Sequence, residues 1–65
     1  MLWLDSKVNL TCLDTDKVAT GTIVRIQGNR VDVALDQGGL IVSLFMKRAG
    51  LYVGSQSGLE FVMKI

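Results

Sequence analysis

Arg25, Gln27 and Arg30 bracket the dipeptide Gly28-Asn29, and Lys47-Arg48 follow the most apolar run of the chain. Guanidinium groups make bidentate contacts with phosphates and carboxylates, whereas ammonium groups bind them as point charges. These five residues form the candidate contact surface for a protein partner or a nucleic acid. Trp3 and Tyr52 could stack on a base, although each equally suits a packing anchor or an interface.

Catalytic chemistry finds less material. General acid–base work needs paired titratable groups whose surroundings separate their pKa values. Asp14 and Asp16 are close in sequence, but Asp14-Thr15-Asp16 reads as a turn in which Asp bonds the backbone. Cys12 has no histidine to activate it and alternates with polar neighbours as a buried small hydrophobe would. Gly38-Gly39 is followed by a strand-like run rather than the helix that a phosphate loop requires, so it reads as a turn. With no histidine and one cysteine, neither a Cys/His metal site nor an internal disulfide is expected. We therefore expect a non-enzymatic chain without cofactor or metal.

Those residues must be positioned by a very small fold. A chain of 65 residues forms one domain, expected to span residues 1–65, and such a domain buries only about 60% of its unfolded surface. Hydrophobic residues make up 49% of the sequence, more than a monomer of this size readily covers. Self-association is the natural expectation. The net charge of +1 lacks the excess of a non-specific DNA binder. No basic leader followed by an apolar stretch opens the chain, and Leu40–Met46 is too short to span a bilayer. A lone thiol gives no reason to invoke an oxidising compartment, so a cytoplasmic location with no membrane contact is expected.

Period-two alternation dominates. Val8 to Cys12 reads as a half-buried strand, and Val18 to Gln27 is a longer one rich in β-branched residues. Gly28-Asn29 then predicts a two-residue type II′ turn. Pairing Gln27 with Arg30 sets Ile26 against Val31, Arg25 against Asp32, Val24 against Val33 and Thr22 against Leu35. One face then holds Val24, Ile26, Val31, Val33 and Leu35; the other holds Arg25, Gln27, Arg30 and Asp32, with Arg25–Asp32 as a cross-strand ion pair.

Leu40 to Met46 is almost continuously apolar, as a strand covered on both faces would be. A second subunit would cover its outer face, which marks Trp3, Leu40, Val42, Leu44 and Phe45 as the oligomer interface. Leu51–Val53 predicts a short strand, Gly54 to Gly58 a flexible loop, and Leu59 to Ile65 a closing strand. The expected fold is all-β: a small antiparallel barrel or strongly bent sheet of five to six strands.

Two families share parts of this pattern. Val8-Asn9-Leu10-Thr11-Cys12, Gly21-Thr22-Ile23-Val24-Arg25-Ile26, Val31-Asp32-Val33-Ala34-Leu35 and Gly58-Leu59-Glu60-Phe61-Val62 together resemble a stripped-down PilZ domain. The resemblance implies a small β-barrel, in that family often a receptor for cyclic di-GMP. The chain departs from the family's ligand motifs. Lys7 is the only basic residue before Lys17, and the turn that should carry Asp/Asn-x-Ser-x-x-Gly reads Arg25-Ile26-Gln27-Gly28. The likeness therefore implies a degenerate ligand site and a regulatory, protein-contact role. Met1-Leu2-Trp3-Leu4, Val8 and Gly28-Asn29-Arg30-Val31 also look like the opening and central hairpin of the carbon-storage-regulator family. That likeness implies an intertwined dimer that binds RNA and regulates translation, with Lys47 and Arg48 standing in for the family's basic strand end.

Overall fold

The computed structural model describes residues 3–65, so Met1 and Leu2 of the second resemblance lie outside the described residues. Six strands follow one another along the chain: β1 (Lys7–Cys12), β2 (Lys17–Gln27), β3 (Arg30–Leu35), β4 (Ile41–Arg48), β5 (Leu51–Gln56) and β6 (Leu59–Lys64). Each pairs antiparallel with the next, and β1 returns to β6 at Thr11↔Val62 and Cys12↔Phe61 to close a barrel. Closure removes the free edges that an open sheet of this size would expose.

The β2–β3 hairpin turns where its sequence predicts. Gly28 takes φ 58° while Asn29 keeps a negative φ, as in a type II′ turn. Gln27↔Arg30, Ile26↔Val31 and Arg25↔Asp32 pair in the expected register. Beyond Arg25 the register shifts at a bulge, and Val33 pairs with Ile23 rather than Val24, and Ala34 rather than Leu35 with Thr22. The physical reason is closure. An extra residue bends and twists the strand, and the bulge turns Ile23 into the core while leaving Val24 45% exposed. The expected apolar face is thus corrected to Ile23, Val31 and Val33, with Leu35 half-buried against them.

Within this one chain the barrel covers the inner face of the β4 apolar run. Val42 and Leu44 are fully buried in the barrel, whereas Ile41 and Phe45 are about half exposed. The core is completed by Leu10 and Cys12 from β1 and by Phe61 and Met63 from β6. Burying a side chain of this size contributes roughly 1.5–3 kcal/mol.

The loop expected from Gly54 to Gly58 is also shorter: Gly54, Ser55 and Gln56 belong to β5, and the turn is confined to Ser57-Gly58. Gly54 pairs with Leu44 and Phe61, and a Cβ there would collide with the Ser43 carbonyl oxygen. Gly21 has the same function opposite Leu35, where a Cβ would lie 2.6 Å from Val33 Cγ1. Glycine inside these strands lets a narrow barrel curve tightly.

Candidate functional site

Strand direction sorts the charged residues between the two ends of the barrel. The β2–β3 tip and the β4–β5 turn lie at one end; the β1–β2, β3–β4 and β5–β6 connections lie at the other. The Met46 amide donates to the Asn29 carbonyl at 2.8 Å and ties the end of β4 to the hairpin tip. Arg25, Gln27, Arg30, Lys47 and Arg48 are therefore brought to one end, as a surface assembled from three strands.

The pairing within that surface differs from the expected one. Arg25 and Asp32 are cross-strand neighbours, but the Asp32 carboxylate is held by Arg30, with Nε donating to Oδ1 at 3.0 Å and Nη2 to Oδ2 at 3.4 Å. Arg30 Nη2 also reaches Ser43 Oγ at 3.4 Å. Arg25 Nη2 donates instead to Gln27 Oε1 at 2.9 Å. Arg30 and Asp32 project on the same side of one strand, so their side chains meet without crossing to a neighbour.

Asp32 is nearly buried, and the Arg30 hydrogen bond holds its carboxyl below the ordinary range. Burial opposes the shift, and Ser43 and the charges of Arg30 and Arg25 assist it. Arg30 is thus partly neutralised and fixed in place. Lys47 and Arg48 are exposed, and no carboxylate lies within 4 Å of either among the described residues. Exposed apolar side chains are interleaved with these charges: Val24, Ile26, Phe45 and Met46.

The five residues expected at an oligomer interface do not form one patch. Val42 and Leu44 share the inward face of β4 and lie in the core, and their neighbours Ile41 and Phe45 point outward. Phe45 belongs to the basic end and pairs across β3–β4 with Arg30. Leu40 lies at the opposite end, where its carbonyl accepts the Leu35 amide. Trp3 borders a separate recess with Lys7, Asn9, Thr20, Asp36 and Lys64. Across that recess, Lys7 Nζ and Thr20 Oγ1 each donate to Asp36 at 2.8 Å.

The end opposite the basic cluster is concave. Ala19, Leu35, Leu40, Leu59 and Phe61 line an apolar opening of about 440 Å³, with Lys17 at its rim and Cys12 among its walls. The Cys12 thiol is held below its ordinary pKa by a hydrogen bond from the Thr15 hydroxyl, against the effect of burial and with help from the Thr15 and Asp14 amides. Asp14 and Asp16 are turn residues as expected. The Asp14 carboxylate accepts the Glu60 amide at 2.8 Å, and Asp16 adopts φ 59°. One signal was present in the sequence: Lys17 has the same parity as Ala19, Gly21 and Ile23, which places it on the inward side of β2.

The chain is thus a small closed antiparallel β-barrel with cations and exposed apolar side chains gathered at one end. No family model, curated protein or solved structure matches the chain significantly. Among the described residues, no helix is long and apolar enough to cross a membrane.

Proposed function

We propose that the chain is a cytoplasmic, non-catalytic binding module, a PilZ-like regulatory barrel with a degenerate ligand site, which docks a protein partner at its basic end. The observation that carries this reading is the convergence of Arg25, Arg30, Lys47 and Arg48 with exposed Val24, Ile26, Phe45 and Met46. Apolar anchors surrounded by cations suit an acidic protein surface. The charges steer encounter and fix register, and the apolar contacts supply affinity. The rigid Arg30–Asp32 pair orders the centre of that surface before binding.

The cross-strand placement of exposed Phe45 beside Arg30 favours a second reading, an RNA-binding translational regulator that stacks a base on Phe45 and pairs phosphates with the cations. The exposed outer row of β4 also supports homo-oligomerisation through Ile41 and Phe45. A single titration separates the readings. The ¹⁵N-labelled chain is titrated at low salt with an oligoglutamate peptide and, separately, with oligouridylate. Shifts at Arg25, Arg30, Phe45, Lys47 and Arg48 with the peptide support protein docking. Shifts with oligouridylate alone, including the Phe45 ring, transfer support to RNA. Silence at this end with both ligands overturns the reading. Sedimentation of the free chain shows a mass above 7.1 kDa if it self-associates, and a monomer at tens of micromolar removes that proposal.

A further inference from the structure

We propose that the apolar mouth opposite the basic end binds a small carboxylic acid with a linear apolar chain. The chain would lie against Leu35, Leu59 and Phe61, with its carboxylate on Lys17. The opening measures about 440 Å³, within the range of small-molecule pockets and at a barrel mouth, where such sites concentrate. Its inner wall comes from Cys12, Ala19, Leu35 and Phe61 of β1, β2, β3 and β6, held by the same barrel wall that builds the core, and residues of the β1–β2 and β3–β4 connections complete the rim.

The position of Lys17 selects the head group. It occupies an inward register position of β2, opposite Cys12, at the end of the series Ile23, Gly21, Ala19. No carboxylate lies within 4 Å of its ammonium among the described residues. Nearby acids are engaged elsewhere. Asp14 accepts the Glu60 amide, and Asp36 is shared by Lys7 and Thr20. Asp16 adjoins Lys17 in the turn, with φ 59°, and is not among the residues that line the opening. An apolar pocket with a single cation at its entrance matches an amphiphile carrying one negative charge.

Cys12 provides an internal reporter, because it is the only cysteine in the chain and forms part of the pocket wall. The experiment follows its alkylation by iodoacetamide in the presence of submicellar decanoate, decanol or decylamine. Decanoate should slow alkylation most and decylamine least. Lys17→Glu should weaken decanoate by about fivefold, the upper range for a rim-exposed ion pair, while leaving decanol unchanged. Ala19→Phe should fill the mouth and abolish protection by both. Amide shifts of Ala19, Leu59 and Phe61 measure the same binding if the buried thiol reacts too slowly to follow. Decanoate that leaves both thiol and amides unaffected overturns the proposal. So does a preference for decylamine, or undiminished decanoate binding by the Lys17→Glu variant.

Discussion

The two ends of this barrel are built from the same strands and present different chemistry. At the β2–β3 end, cations and exposed apolar side chains share the surface, and the nearly buried Asp32 carboxylate is hydrogen-bonded to Arg30. At the opposite end the apolar side chains turn inward and leave a concave opening, with one lysine at its rim. The difference lies in which side chains reach each end. Arg25, Arg30, Lys47 and Arg48 of β2, β3 and β4 gather at one, and Lys17, Ala19, Leu35, Leu59 and Phe61 at the other, where outward Val18 and Thr20 complete the lining. A short barrel thus presents a charged, partly apolar surface at one end and a concave opening at the other without an added element, and the two proposed sites follow that division.

The barrel wall between them supports both ends. Val42→Asp places a carboxylate at a fully buried position and should unfold the chain, removing both sites together. Urea denaturation followed by circular dichroism measures this. Phe45→Asp, on the outer row, should change stability by only about 0.5 kcal/mol. Equal losses for the two variants would contradict the inward–outward assignment of β4.

Next in size is the joint reversal of Lys47 and Arg48 to Glu. It should abolish binding of an anionic partner at the basic end and leave decanoate binding at the mouth unaltered, as titration calorimetry can show. A parallel loss at the mouth would mean that the ends are not independent.

Asp32→Asn sharpens the account of the basic end itself. Asp32 is lowered in the folded state, so its contribution is present above the unfolded value of about 3.9 and is lost as pH falls through the folded value. The variant should lose about 1–3 kcal/mol at neutral pH and show a flatter fall in stability below about pH 4. Asp36 is lowered by Lys7 and Thr20, but its side chain is 38% exposed, and screening makes its share of that acid limb smaller. An unchanged acid limb in Asp32→Asn would contradict the Arg30–Asp32 pairing. Arg25→Ala should have the smallest effect, about two- to threefold in partner affinity, since its guanidinium bonds an exposed glutamine rather than a carboxylate.

The β2–β3 tip and the strand series were legible because Gly28-Asn29 and period-two alternation are local signals. The bulge was not, since Ile23 and Val24 are adjacent β-branched residues and only barrel closure decides which one turns inward. In β4, a continuous apolar run announces a strand but not which of its residues the barrel takes in: Val42 and Leu44 fill the interior, and Ile41 and Phe45 lie outside it. Gly54 read as a loop residue because its requirement, close approach to the Ser43 carbonyl, arises from a neighbouring strand. The cationic residues were identified from their types. Their gathering at one end depends on the antiparallel order of β2, β3 and β4, within which the Met46 amide bonds the Asn29 carbonyl. The apolar mouth draws its walls from distant parts of the chain, and only the parity of Lys17 foreshadowed it.

One ¹⁵N titration tests the division between the ends most directly, with decanoate and oligoglutamate added in turn to the same sample. The account predicts two separate sets of shifts: Ala19, Leu59 and Phe61 for the acid, and Arg25, Arg30, Lys47 and Arg48 for the peptide. Overlapping sets, or a second ligand that displaces the first, would contradict it.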